Sequence, residues 1–264
     1  MEKFRNSIDG FVELCTKVGL IQVNGQQDLK IDFKSDKSPV TNIDLLSNEM
    51  IIDYLSKEFS DDVVISEESI KKLVHADSYW LIDPIDGTKD YIKGGSQYCI
   101  CLSYIEKNYP VFGIIYIPST KDFFYGIKGH GSYLINSARK STRLNVNRKI
   151  EDNIYVSTTI RESVSSILST NFSNSTIIYL SSAIKFSRIA QGMGHFSLRL
   201  GPTYEWDTAA GQCIIEESGG QFLDKKFERF SYGKDTNYLN GPFFIFNGEL
   251  TKYKDTINQC LSLI

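Results

Sequence analysis

The stretch Trp80-Leu81-Ile82-Asp83-Pro84-Ile85-Asp86-Gly87-Thr88 concentrates more potential chemistry than any other in the chain. Its apolar run reads as a strand that delivers Asp83 at its end. Pro84 has no ladder N–H and a fixed φ, so it is expected to break the strand there. Asp83 and Asp86 can then turn toward one point with the Ile85 carbonyl between them. Carboxylate, carbonyl and carboxylate make a hard-oxygen set that suits Mg²⁺. Gly87 lets the backbone pass close to a ligand. Thr88 opens the next turn with free N–H groups, a natural seat for phosphate oxygens. On these residues alone, a solvated Asp-Pro/Asp-Gly turn joining strand to helix is about as good an account.

Three further acidic segments bear on that choice. Ile65-Ser66-Glu67-Glu68-Ser69 places two glutamates directly after another apolar run. Tyr204-Glu205-Trp206-Asp207 places Asp207 at an expected helix start, where Asp is a favoured N-cap. The following Ala209, Ala210 and Gly211 are small enough to bring that helix end against another backbone. Thr41-Asn42-Ile43-Asp44 reads first as a capping-box variant with Asp44 in the first helical turn. Taken singly, each segment is an ordinary loop or cap. If Glu67, Asp83, Asp86 and Asp207 converge, like charges ~4 Å apart repel by about 4 kcal/mol at an effective dielectric near 20. Four carboxylates make six such pairs, a repulsion comparable to a domain's whole stability of ~5–15 kcal/mol. Such a cluster must protonate or hold cations, although spacing alone cannot establish the convergence.

The elements that must position these acids follow from periodicity. Phe4, Ile8, Phe11, Val12 and Cys15 form a helical stripe over 4–18. Residues 29–40 are irregular or hairpin-like, with Lys34-Ser35-Asp36-Lys37 at the tip. A helix is expected over 42–58, with Ile43, Leu46, Met50, Ile51, Tyr54 and Leu55 on one side. Strands are expected at 63–65, 79–82, 98–104, 111–117 and 123–127, each bounded by turn-forming residues. The second half alternates: strands at 154–157, 176–180 and 195–199, and helices near 161–170, 182–191 and 207–218. Strands at 221–223 and 243–246 and a helix at 250–261 complete it. The pattern is α+β first and βαβ-like afterwards. It predicts two lobes, 1–147 and 148–264, with a cleft between them and a boundary near 145–150.

A chain of 264 residues can bury a full core without disulfide or structural metal. A net charge of −3 without a basic stripe argues against a nucleic-acid partner. Cys15, Cys99, Cys101, Cys213 and Cys260 show no zinc spacing and read as buried free thiols in a reducing compartment. Charged residues interrupt the start at once, so no signal peptide is expected. No apolar run approaches the ~20 residues that span a bilayer. These features point to the cytoplasm, with peripheral membrane contact and oligomeric state left open.

Together, and in this order, Pro39 through Asp44, Ser66-Glu67-Glu68, Trp80 through Thr88, Trp206 through Gly211 and Glu217-Ser218-Gly219-Gly220 resemble the inositol monophosphatase superfamily. The resemblance covers nearly the whole chain. It implies a layered αβαβα sugar-phosphatase fold with a metal site between two lobes, and Mg²⁺-dependent, typically Li⁺-sensitive phosphomonoesterase activity. It further implies that Glu67, Asp83, the Ile85 carbonyl, Asp86 and Asp207 hold two or three Mg²⁺. Gly87 and Thr88 would offer N–H groups to the scissile phosphate. Thr88, paired with Asp44, would orient or deprotonate the attacking water beside Glu67. Lys34 matches a basic residue of a mobile hairpin near the metals, and Ser66 stands where the family has glycine.

The second half is most similar to bacterial 3′(2′),5′-bisphosphate nucleotidases. The similarity rests on Ser181 through Phe186, Arg199 through Thr203 and Tyr238-Leu239-Asn240, with Lys89 through Lys93 after the acidic motif. The implied reaction is 3′-phosphoadenosine 5′-phosphate to AMP and phosphate. Ser182 and Lys185, i and i+3 on an expected helix, would share a face near free N-terminal donors and seat a non-scissile phosphate. Arg199 would add a bidentate contact. Arg188 is expected on the surface, and His75, His130 and His195 in ordinary structural roles. An inositol or other sugar phosphatase is the first alternative, and a non-catalytic metal- and nucleotide-binding module the other.

Overall fold

The structure is a computed structural model that describes residues 1–69, 76–148, 151–234 and 237–264. His75 lies outside the described residues, as does part of the expected boundary near 145–150. Helices α1 (Glu2–Asn6) and α2 (Ile8–Gly25) open the chain. An antiparallel hairpin of β1 (Ile31–Phe33) and β2 (Pro39–Thr41) and helix α3 (Asn42–Glu58) follow. A seven-stranded sheet then runs in sequence order: β3 (Val63–Ser66), β4 (Ser78–Asp86), β5 (Cys99–Glu106), β6 (Tyr109–Ile117), β7 (Asp122–Ile127), β8 (Gly131–Ile135) and β9 (Ser141–Arg143). Helix α4 (Thr88–Ile92) sits between β4 and β5. Among the described residues, β3 pairs parallel with β4 and the remaining pairs of this sheet are antiparallel.

The second half contributes β10 (Asn153–Val156), α5 (Glu162–Asn171), β11 (Thr176–Tyr179), α6 (Ile184–Ala190) and β12 (Phe196–Arg199). It continues with β13 (Thr203–Tyr204), α7 (Ala209–Glu217), β14 (Gln221–Asp224), β15 (Leu239–Asn240), β16 (Phe243–Phe246) and α8 (Lys254–Leu261). Its sheet has the order β11-β10-β12-β16-β14, with β10 parallel to both neighbours. β13 and β15 form a separate antiparallel pair.

Alternation along the strands builds the layers. On β4, Trp80 and Ile82 pack toward Phe11, Ile51 and Leu55 of α2 and α3. Tyr79 and Leu81 point the other way, into a core shared with Phe186 of α6 and Ala210 and Ile214 of α7. The five-stranded sheet lies beyond that helix pair. Its outer residues Ile154, Phe196 and Phe246 are covered by Val164 and Leu168 of α5 and by Ile257 of α8. The order is helix, sheet, helix, sheet, helix, which is the expected αβαβα layering. Strands buried on both faces lose the apolar/polar alternation and read as continuous hydrophobic runs. Each fully buried large apolar side chain contributes roughly 1.5–3 kcal/mol, so the central strands anchor the site rigidly.

Three local expectations need correction. Pro84 does not end its strand: β4 continues to Asp86 and absorbs the proline as an irregularity, pairing Asp83 with Cys101 but Asp86 with Cys99. Two residues on β4, Pro84 and Ile85, thus oppose one on β5, Ile100, and the extra residue bends the strand end. Leu46 of α3 is 41% exposed, and the inward positions beside it belong to Asp44, Ser47 and Asn48. This end of α3 faces polar groups. The expected long helix at 207–218 is instead a 3₁₀ turn over Glu205–Asp207 followed by the nine-residue α7. Among the described residues, no helix is long and apolar enough to cross a membrane.

Candidate active site

Each predicted acid stands at the end of an element. Glu67 follows β3, and its N–H donates to the Ile82 carbonyl at 3.0 Å, which ties the β3 and β4 ends together. Asp83 is 2% exposed and its Oδ1 accepts the Ile85 N–H at 3.0 Å, closing the bulge around Pro84. Asp207 lies in the 3₁₀ turn before α7, with Oδ2 accepting the Tyr204 N–H at 2.8 Å. It is therefore not the N-cap of α7; Thr208 occupies that position. The turn is brought in by close packing of α7 on the sheet. A Cβ at Gly113 would lie 2.6 Å from the Ala210 carbonyl oxygen, so only glycine lets these two backbones meet.

These elements carry one oxygen each from Glu67, Asp83 and Asp207 to within 4.8 Å of one another. Asp86 lines the same cleft of about 360 Å³, together with Ile85, Gly87 and Thr88. Gly87, at φ 107, turns the chain from β4 into α4, and the Thr88 hydroxyl donates to the Ile85 carbonyl at 2.9 Å. Asp44 Oδ1 is its second acceptor at 3.2 Å. Asp44 itself is 1% exposed and accepts the Thr41 N–H at 2.8 Å in the expected capping box. It reaches the cleft through Thr88. Lys34 leans in from the hairpin, donating to Glu67 at 2.6 Å and to Glu68 at 2.8 Å.

Two cations, Lys185 and Arg199, line the same cleft. Lys185 is only 8% exposed, and its ammonium donates to the Ser182 carbonyl at 2.6 Å. Ser182 is not on the helix, because α6 starts at Ile184 and Ser182 turns the chain at φ 58. The Ala183 N–H at that turn donates to Asp86, so a donor expected to be free already faces a carboxylate. Arg199, at the end of β12, donates to Ser157 Oγ at 2.8 Å and to the Pro202 carbonyl at 3.2 Å. Its buried Nε has no partner among the described residues. Arg188 is half-buried and bonded to Gln191 at 3.2 Å. His130 is exposed, and His195 is buried against Ser175 at 2.8 Å.

Electrostatics shows what the acids lack. Burial, reinforced by the Glu67, Asp86 and Asp207 charges, pushes the Asp83 carboxyl well above the usual range. Burial and the Asp86 and Glu67 charges do the same to Asp207. Asp86 is pushed up to about 6 by burial, a rise held back by Lys185 and the Ala183 N–H. Burial raises Asp44 as well. Carboxylates raised by desolvation and mutual repulsion carry too much negative charge for their surroundings. Hard oxygens with excess charge fit a hard divalent cation, which would relieve what protonation otherwise relieves.

The sequence reading passed over several residues of the cleft. Ser157, Thr158 and Thr159 line it just past the carboxyl end of the parallel strand β10. A run of small hydroxyl residues after a parallel strand is a usable signal, since ligands gather at such strand ends. Glu68, pushed up to about 7 by burial against the pull of Lys34, was not singled out either. Ser157, Thr159 and Arg199 also border a smaller neighbouring cavity of about 150 Å³ whose walls include Ile160, Val164 and Leu198.

Comparison with known proteins agrees with this geometry. A sequence model of the inositol monophosphatase family matches residues 5–254. The 3′(2′),5′-bisphosphate nucleotidase CysQ of Haemophilus influenzae is 31% identical over 231 residues, covering 85% of this chain and 86% of that protein. Among solved structures, an IMPase of Thermotoga maritima superposes with a TM-score of 0.79 at 25% identity, covering 98% of each chain. CysQ of Bacteroides thetaiotaomicron superposes at 0.76 and 25% identity, covering 89% of this chain and 95% of that one.

Proposed function

Because this chain belongs to the inositol monophosphatase family, we propose that it is a Mg²⁺-dependent phosphomonoesterase acting on 3′-phosphoadenosine 5′-phosphate, releasing AMP and phosphate. The observation that carries the reading is that the cleft in which Glu67, Asp83 and Asp207 meet is also lined by two cations, Lys185 and Arg199. A monophosphate needs only the acids and their metals, whereas a second phosphate gives the buried Lys185 and the Arg199 Nε, without a partner among the described residues, a role. The nucleotidase names of the curated relatives support the same substrate class.

In this reading residues 1–147 carry most of the metal ligands, and residues 148–264 bring Asp207 and the substrate-facing cations. Glu67, Asp83, the Ile85 carbonyl, Asp86 and Asp207 hold two or three Mg²⁺. Bound there, the ions supply a water of lowered pKa and charge stabilisation at the leaving oxygen. The protein's own groups do the positioning. Gly87 and Thr88 direct N–H groups at the scissile phosphate, and Asp44, through the Thr88 hydroxyl, aligns the attacking water beside Glu67. Lys185, Ser182 and Arg199 hold the second phosphate, fixing the 3′ ester in line for attack. Positioning and charge neutralisation are sufficient for phosphoryl transfer.

A substrate panel tests the assignment. Phosphate release with Mg²⁺ is measured for the bisphosphate nucleotide, its phosphosulfate relative and inositol 1-phosphate, each with and without Li⁺. The expected result is the highest kcat/KM for a 3′-phosphorylated adenosine nucleotide and inhibition by Li⁺. Preference for inositol phosphate would overturn the substrate, and binding without any phosphate release would overturn the enzyme.

A further inference from the structure

Strand β5 places a second set of ligand atoms directly behind Asp86. Cys99 and Cys101 share one face of the strand, opposite Asp86 and Asp83 respectively. Their Sγ atoms are 3.8 Å apart, and Cys99 Sγ is 3.8 Å from Asp86 Oδ2. All three ligand atoms lie within 4.8 Å of one another. Both thiols are free and buried. A tetrahedral Zn²⁺ with Zn–S bonds of about 2.3 Å spans an S···S edge of about 3.8 Å, and its S···O edge to a carboxylate is about 3.5 Å. The thiol pair thus already has the spacing of two thiolates on one zinc, and Asp86 need close on Cys99 by only a few tenths of an ångström, with Cys101 within 4.8 Å of it. Asp86 also lines the open cleft, which provides the entry path.

We propose that Cys99, Cys101 and Asp86 form a site for a thiophilic divalent cation, Zn²⁺ or Cd²⁺, with water as the fourth ligand. Soft sulfur ligands select such ions over Mg²⁺. Binding converts both thiols to thiolates and releases their two protons to solvent. Occupation also removes Asp86 from the hard-oxygen set, so the ion inhibits hydrolysis. The inhibition rests on the function proposed above, whereas the binding does not.

The two parts have separate readouts. EDTA-stripped protein titrated with Cd²⁺ is expected to develop the ultraviolet thiolate-to-cadmium charge-transfer band, saturating at one thiolate-bound ion per chain. Cys99→Ser and Cys101→Ser abolish or sharply weaken the band, while Cys213→Ser, a buried thiol elsewhere, retains it. No band in the wild-type protein, or a band indifferent to both substitutions, overturns the site; the wild-type titration decides even where a variant does not fold. Under saturating Mg²⁺, Cys101→Ser is expected to raise the Zn²⁺ concentration giving half-inhibition by at least about tenfold. Equal inhibition of wild type and variant overturns the competition for Asp86. A band with no phosphatase activity supports the site and counts against the phosphatase.

Discussion

At Asp83, burial and the charges of Glu67, Asp86 and Asp207 all act in the same direction. A carboxyl whose folded pKa is raised favours folding below its unfolded value near 3.9 and loses that contribution as pH rises through the folded value. For Asp86 the loss runs from that unfolded value up to about 6. Metal-free protein is therefore expected to lose stability between pH 4 and 8. Asp83→Asn, also metal-free, should be more stable than wild type at pH 8 by on the order of 1 kcal/mol, with the difference gone at pH 4. Denaturant midpoints in EDTA check the sign, and a wild type favoured at pH 8 contradicts it. In the same cleft, Lys185→Ala should raise KM about 10–100-fold for the bisphosphate, the value of a charged hydrogen bond, and far less for a monophosphate. Glu67, Asp83 and Asp86 are legible because they close apolar runs, and Asp207 and Asp44 because they stand at expected helix starts. Cys99 was not legible as their neighbour, since the bulge at Pro84 shifts the register and spacing cannot reveal that shift.

Between elements, the decisive contact is the approach of α7 to the seven-stranded sheet. Gly113→Ala would put a methyl 2.6 Å from the Ala210 carbonyl oxygen, a backbone atom with no freedom to swing aside. Helix α7 must then shift, and Asp207 with it. The expected cost is about 1–3 kcal/mol of stability, the usual price of overpacking, with weakened Mg²⁺ affinity. Gly241→Ala, which meets nothing within 4 Å, is the control. Calorimetric Mg²⁺ titration separates the two variants, and equal affinities would remove α7 placement from the account. Most strands were readable from apolar runs between turn residues. β8 and β9 were missed because Gly131, Ser132 and the polar Ser141-Thr142-Arg143 interrupt any such run. Ser182 was misplaced on a helix because α6 begins two residues later, after a left-handed turn that helical periodicity does not register.

Across the whole molecule, the central core draws on both halves, joining Leu81 and Ile115 of the first sheet to Phe222 and Ile245 of the second. The two halves are expected to unfold in a single transition. Mg²⁺ should raise its midpoint through mass action on the native state, by about 2.7 kcal/mol at a hundredfold excess over Kd. The gain should be larger at pH 8 than at pH 5, because protons then compete less for the carboxylates. Two separate transitions, or a Mg²⁺ effect independent of pH, would contradict this. The layered order followed from the alternation of strands and helices, but the crossing of Asp207 from one half to the acids of the other is a tertiary event that local pattern does not encode. The most direct test is phosphate release from 3′-phosphoadenosine 5′-phosphate by EDTA-stripped protein as Mg²⁺ is restored. Turnover should be absent without the ion, return with it, and fall by at least ~10²-fold in a folded Asp207→Asn variant. Turnover that survives EDTA, or an Asp207→Asn variant as active as wild type, would contradict a cleft whose acids work by holding metal.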